Sequence, residues 1–200
     1  MIRIEPMVLE GERVRLEPMG RQHLDALTVA GRYDELWRWT RAKATTIETM
    51  LEYIESALAE AKGGLSLPFV TIDKPSGLVV GSTRFGNIDP VNRHAEIGWT
   101  WITPPFQRTY VNSEAKYLML RHAFDIWDCV RVELKTDVLN EKSRAAMIRL
   151  GATEEGVLRR HMLTHDGRFR DTIYYSVLDH EWPAIRARLE ARIRQAPETR

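Results

Sequence analysis

The chain holds a single cysteine, Cys129, among 200 residues, so no disulfide within it can brace the fold, and a reducing compartment is expected. Cys129 sits between Trp127 and Val130 in an apolar stretch, which reads as a buried structural thiol and not a nucleophile. A charge excess is also missing: 29 Lys and Arg stand against 28 Asp and Glu, a formal net charge of +1. Proteins that hold nucleic acid or lie on a membrane surface carry a marked or clustered basic surplus, so neither is an expected partner. The arginines between Arg186 and Arg194 read as one face of a terminal helix, not a nucleic-acid arm. No apolar run approaches the roughly 18 residues that span a bilayer, and residues 1–10 carry Arg3, Glu5 and Glu10 where a signal peptide needs an apolar core. No Gly-, Ser- or Pro-rich linker and no internal repeat divides the chain, and its six histidines lack the spacing of zinc ligands. The expectation is one cytoplasmic domain over residues 1–194, without metal, and a disordered tail over 195–200.

What is present is periodicity. Val14 and Leu16 alternate with charged residues at the end of Val8–Glu17, a half-buried strand. Arg21–Ala30 reads as a helix. A second begins after Thr45 or Thr46, repeats Met50, Ile54, Ala57, Leu58 and Ala61 at helical spacing, and stops at Gly63-Gly64. Strands follow over Pro68–Asp73, Leu78–Phe85 and Arg93–Ile102, joined by the turns Lys74–Gly77 and Asp89–Asn92, which describes an antiparallel meander. In the last of these strands Ala95, Ile97, Trp99 and Trp101 are expected on one face, with Glu96, Gly98 and Thr100 on the other. A helix from Asn112, a strand over Val130–Thr136, a short helix over Lys142–Leu150 ended by Gly151, strands over Glu155–Met162 and Phe169–Val177, and a helix carrying Trp182, Ile185, Leu189 and Ile193 complete the order. It is a mixed α+β pattern.

The stretch from Ile97 to Glu114 points to chemistry. A strand runs through Thr103-Pro104-Pro105 and Gln107–Asn112 into a helix N-terminus. Such a junction presents unpaired backbone N–H groups and the positive end of the helix dipole, a site suited to phosphate or pyrophosphate, and Arg108 adds charge. Many junctions of this form bind nothing, so the feature alone decides little.

The order of elements and several short motifs resemble the GNAT superfamily of N-acetyltransferases, in its branch similar to ribosomal-protein N-terminal acetyltransferases. The likeness is carried by Ala95–Trp99, Gln107–Leu120, Asn140–Arg144, Arg149–Ala152, Leu158–His161, Asp166-Gly167 and Arg170-Asp171, and spans roughly residues 8 to 190. It implies a central, mostly antiparallel sheet of about seven strands with a splayed parallel pair, flanked by helices. It also implies direct acetyl transfer from acetyl-CoA to a primary amine, on a protein N-terminus or a small molecule. In that picture the strand of Glu96–Ile102 parts from Val130–Thr136. The pantetheine arm enters the gap against the backbone of Trp101 and Ile102. The loop Thr103, Gln107, Arg108, Thr109, Tyr110, Val111 and Asn112 wraps the pyrophosphate, while Asn140, Ser143 and Arg144 line the arm, Ser143 close to the sulfur. Two places depart from the family pattern: Tyr110 and Asn112 stand where small residues are usual, and Met147 stands where many members place a tyrosine acid. Ser143 is then the substitute acid.

Transfer to an amine needs the nitrogen unprotonated, hence a general base. Glu96 is the candidate; the bland alternative is a strand glutamate paired with an arginine such as Arg84 or Arg93. A backbone N–H near Trp101 is the candidate oxyanion donor. Trp37 and Trp39, with Arg84, are candidate acceptor-binding residues; the tryptophans equally suit a core. His161 and His165 are weaker catalytic candidates. Other readings are a non-catalytic coenzyme A-binding or regulatory protein on this fold, and an acyltransferase with a longer donor or a hydroxyl acceptor. A homodimer is a further expectation.

Overall fold

Eight strands form one sheet in the order β1-β2-β3-β4-β5-β6-β8-β7, in a computed structural model that describes residues 2–64 and 66–195. The expected first strand is two: Gly11 N–H donates to the Val14 carbonyl and folds β1 (Leu9–Glu10) antiparallel onto β2 (Val14–Pro18), which raises the count from about seven to eight. Strands β3 (Ser66–Asp73), β4 (Leu78–Asp89) and β5 (His94–Ile102) continue the antiparallel meander. β6 (Arg131–Asp137) lies parallel to β5 and antiparallel to β8 (Phe169–Leu178), with β7 (Thr153–Leu163) at the edge.

Helices cover both faces. On one lie α1 (Leu24–Gly31), preceded by a short 3-10 turn, and α2 (Ile47–Lys62), which Thr46 caps by accepting from Thr49 N–H. Leu27, Met50, Ile54 and Ala57 from this layer pack with Val70, Trp37 and Trp101. On the other face lie α3 (Tyr110–Arg121), running on into a π-helical turn over His122–Ile126, and α5 (Trp182–Gln195). The stripe Trp182, Ile185, Leu189 and Ile193 is buried as its spacing requires. α4 (Glu141–Leu150) ends on Gly151, whose φ of 103° only glycine takes without strain. The tail expected to be disordered lies outside the described residues over 196–200, and Gln195 is the last residue of α5.

The decisive irregularity is in β5. Ser82 pairs with Trp101 but Arg84 pairs with Gly98, so Thr83 alone opposes both Trp99 and Thr100. Trp99 carries the extra residue of this bulge at φ 50°. One inserted residue flips every later side chain to the opposite face. Ala95 and Ile97 therefore enter the core under α3, whereas Trp101 enters the core under α1 and α2. The expected shared face of Ala95, Ile97, Trp99 and Trp101 holds only for its first half. Glu96 and Thr100 likewise end on opposite faces.

β5 leaves β6 just before the bulge. The two are paired only from His94–Glu96 to Arg131–Glu133. β5 stays with β4 as far as Ile102 opposite Gly81, while β6 stays with β8 as far as Asp137 opposite Thr172. A cleft opens between Ile97–Ile102 and Leu134–Asp137. Gly81 sets the far end of β5 against β4: a Cβ there would collide with the Trp101 carbonyl oxygen. Gly81→Ala is expected to destabilise the fold by about 1–3 kcal/mol, measured by chemical denaturation; wild-type stability would show that β5 is not held this closely.

Candidate active site

The loop after β5 is tied to the strand it leaves. Pro104–Phe106 make one 3-10 turn, and the Gln107 side-chain amide donates to the Ile102 carbonyl at 2.9 Å. Thr103 is buried, Gln107 half-buried and Arg108 exposed. Thr109 caps α3, accepting from Val111 N–H at 3.3 Å while its hydroxyl donates to the Phe106 carbonyl at 2.7 Å. α3 therefore starts at Tyr110, two residues before the expected Asn112, and its first turn and positive dipole end stand at the outlet of the split strand.

The absent small residues have a physical account. Tyr110 is 1% exposed. Its phenol donates to Asp73 on β3, and the Arg13 guanidinium stacks on its ring at 3.9 Å from the centroid. The ring thus points into the scaffold and away from the loop surface. Asn112 sits half-buried in the first helical turn, and the residue that takes φ above zero in this loop is Arg108, at 63°. The buried destination of Tyr110 keeps its ring from covering the loop backbone.

Glu96 is buried on the face opposite α3. The paired partner is neither Arg84 nor Arg93: Lys135 Nζ stands 2.7 Å from Glu96 Oε2 and Asn87 Nδ2 donates to the same oxygen at 2.6 Å. Arg84 pairs instead with Glu60, and Arg93 with Asp128. Oε1 of Glu96 accepts no hydrogen bond among the described residues and lies beside Gly98, where a Cβ would stand 2.7 Å away. Glycine at 98 leaves that oxygen its room. His161 is half-buried near this group, against the Tyr174 ring, and its Nδ1 is buried without a partner among the described residues. Burial, then repulsion from Lys135 and Arg170, hold its imidazole below the usual range against the pull of Glu96. His165 lies on the exposed β7–β8 turn beside the Thr40 carbonyl. Arg170 and Asp171 do not pair with each other: Arg170 donates to Thr172 and to the Trp39 carbonyl, and Asp171 accepts from Arg160 N–H.

Across the cleft, Asn140 caps α4, its Oδ1 accepting from Ser143 N–H at 3.2 Å. Ser143 is half-buried and its hydroxyl makes no hydrogen bond among the described residues. Arg144 is committed to the scaffold, donating to the Val138 carbonyl at 3.2 Å and reaching the Tyr175 hydroxyl at 3.5 Å, a contact that raises its pKa. On the α1–α2 side, Trp37 closes the core: it is 1% exposed, donates to the Gly31 carbonyl and packs on Tyr53 and Trp101. Trp39 is half-buried between the guanidinium groups of Arg38 and Arg168. Arg84 is buried between the rings of Tyr53 and Trp99. Cys129 is buried, and desolvation pushes its thiol up to about 11, so it is inert as a nucleophile at neutral pH.

Lys116 escapes a reading of the sequence. It stands one turn into α3 in a stretch of charged and apolar residues, and only the fold buries it. Its Nζ lies 2.7 Å from Thr100 Oγ1 and 3.5 Å from Thr83 Oγ1, with no carboxylate in contact among the described residues. Burial lowers its pKa to about 7 against the pull of Glu96. Lys135 and Asn87 were equally unmarked; charge alternation along β6 was the one available hint of Lys135.

A sheet split along its one parallel pair, with a helix N-terminus at the outlet of the split strand, defines an acyltransferase of the N-acetyltransferase kind. The profile of the acetyltransferase (GNAT) domain matches residues 13–153, and the chain belongs to that family. YdaF of Bacillus subtilis, provisionally named a ribosomal N-acetyltransferase, is 38% identical over 106 residues, which is 53% of this chain and 57% of that protein. A GCN5-related N-acetyltransferase from Brucella melitensis superposes with a TM-score of 0.88 at 34% identity, over 94% of this chain and 86% of its own. RimJ of Mycobacterium smegmatis, solved with CoA-disulfide, superposes with a TM-score of 0.82 at 26% identity, over 96% and 97% of the two chains.

Tyr110→Phe is expected to lower stability by about 1–3 kcal/mol by depriving buried Asp73 of a donor, measured by urea denaturation; an unchanged midpoint would remove that hydrogen bond from the scaffold. Lys116 makes a second prediction. The folded chain binds fewer protons than the unfolded one between about 7 and the ordinary lysine value of 10.5, so this group makes stability rise with pH across that window. Lys116→Met should remove that part of the rise, so that the stability difference between variant and wild type shrinks with pH; a difference independent of pH would contradict it.

Proposed function

We propose that the chain is an N-acetyltransferase that moves the acetyl group of acetyl-CoA directly to a primary amine. The acceptor is a protein N-terminus or an amine-bearing small molecule, and the names of the relatives favour the protein. The observation that carries the reading is the cleft between β5 and β6, three residue pairs beyond its start, ending at the N-terminus of α3. Its residues fit the coenzyme. The β5 edge offers backbone groups of Ile97–Ile102 without a ladder partner on the β6 side, and the loop from Thr103 to Asn112 offers N–H groups and Arg108 to a pyrophosphate. Gln107 and Asn140 serve by shaping the two walls, since their side chains are bonded to Ile102 and Ser143. Arg144 secures α4 to β6 and β8 in the same way.

Acetyl-CoA supplies a thioester activated toward amines. The chain's own contribution is to position the amine, take its proton and stabilise developing charge. Glu96 Oε1 is the base, its partner oxygen anchored by Lys135 and Asn87. A backbone N–H near Trp101 is the oxyanion donor, and Ser143 is the acid for the departing sulfur. Arg84 with Trp99, and Trp39 at the 37–40 loop, border the acceptor side, whereas Trp37 supports them from the core. The ground for a non-catalytic protein was the pair Tyr110 and Asn112, and the inward course of Tyr110 removes most of it. This reading takes residues 1–194 as one cytoplasmic domain acting without metal, nucleic acid or membrane. Among the described residues, no helix is long and apolar enough to cross a membrane.

Calorimetry is expected to show acetyl-CoA binding, with thermal protection and thiol release when an acceptor amine is added; absence of any coenzyme A binding sinks the proposal. Glu96→Gln should lower turnover by roughly 10²- to 10⁴-fold with acetyl-CoA affinity nearly intact, and an unchanged pH–rate profile refutes its role as base. Ser143→Ala should slow turnover modestly; no change removes the serine from acid catalysis.

A further inference from the structure

Thr100 lies on the split part of β5, one residue before Trp101, and is exposed there, while Lys116 behind it is 7% exposed. The bulge at Trp99 turns the Thr100 hydroxyl toward α3, where it meets Lys116 Nζ at 2.7 Å and Thr83 Oγ1 at 2.8 Å. A buried amine held by hydroxyls alone is costly to keep charged, and α3 would gain by placing an apolar residue there. Such costs are retained where a group must exchange a proton. α4, on the other wall of the cleft, brings one hydroxyl, Ser143, and Met147 can donate nothing.

We propose that Lys116 is a positioning residue that acts through the Thr100 hydroxyl to protonate the coenzyme's departing sulfur. The proposal rests on the acetyl-transfer site above and moves the source of the sulfur's proton to Thr100, leaving the Ser143 hydroxyl on α4 to donate a hydrogen bond to the departing sulfur. The acyl carbon–sulfur bond breaks as the carbon–nitrogen bond forms. The acceptor nitrogen gives its proton to Glu96 Oε1, and from there to water. The sulfur leaves with the bonding pair and takes the Thr100 hydroxyl proton, which the Lys116 ammonium replaces; solvent recharges the pair through exposed Thr100.

The surroundings keep Lys116 free for this. Among the described residues, Glu96, from β5, is the charged group that pulls on its proton. Arg84 of β4 is turned to the other face with Glu60, Lys135 of β6 is held by Glu96, and Glu114 of α3 accepts from Arg13 N–H. Burial leaves the amine titrating at about 7, where it can both give and regain a proton.

The test titrates the thiol of bound coenzyme A by its thiolate ultraviolet absorbance, in wild type, Thr100→Val and Lys116→Met. In wild type the bound thiol should ionise roughly one pH unit or more below free coenzyme A, and both variants should return it to the free value. With acetyl-CoA and an acceptor, both should lower kcat by roughly 10- to 100-fold, leave the KM for acetyl-CoA near wild type, and flatten the alkaline fall of kcat that deprotonation of Lys116 produces. Melting curves at or above the wild-type midpoint for Lys116→Met would exclude misfolding as the cause. A thiol unshifted in wild type, a shift that survives in either variant, or an alkaline limb retained in Lys116→Met overturns the relay alone. Failure of wild type to bind coenzyme A overturns the relay and the acetyl-transfer reading together.

Discussion

Opposite Thr83, β5 carries one residue more than β4 can match, and the cleft against β6 runs along this irregular part of the strand. With Thr83 opposite both Trp99 and Thr100, the strand, already parted from β6 after Glu96, changes hand relative to the two cores. The same residue insertion sends Trp101 to the α1–α2 layer, Thr100 toward α3, and leaves Trp99 at the surface over Gly86, whose missing side chain gives the indole its seat. Gly81 then allows β4 to hold the displaced strand by its backbone.

Around that opening, ionisable groups are placed in pairs of different strength. Glu96 shares one oxygen between Lys135 and Asn87 and keeps the other unbonded beside Gly98. Lys116 has hydroxyls and, among the described residues, no carboxylate in contact. Both are buried, yet one carboxylate oxygen is anchored by two donors while burial forces the Lys116 amine toward neutrality, and the two lie on opposite faces of the sheet. The base and the proton relay proposed above would draw on such unlike environments. Elsewhere buried charge is matched within the scaffold: Arg168 pairs with Asp137, Arg84 with Glu60, and the Tyr110 phenol donates to Asp73.

Much of the fold was legible beforehand. Alternation found β2 and β6, Gly and Pro clusters found the turns of the meander, and the Trp182–Ile193 stripe found α5. The loop-helix junction was placed to within two residues. What failed did so for one reason. Periodicity assumes a regular strand, and nothing in His94–Ile102 announces a bulge, so the faces of Trp99, Trp101 and Thr100 were misassigned. Partners were harder still. Lys135 and Glu96 are 39 residues apart, and which cation reaches a strand carboxylate depends on strand register, to which local spacing is blind.

By itself, the sequence determined the class of fold, the order of its elements and the family, because these follow from local period, turn chemistry and resemblance over nearly the whole chain. The tertiary structure decided where Tyr110 goes, which oxygen of Glu96 is left open, that Trp37 belongs to the core, and that Lys116 stands buried behind Thr100. Each of those depends on residues distant in the chain being brought within hydrogen-bond reach and stripped of water. Burial and contact are properties of the packed sheet and helices, and no residue carries them alone.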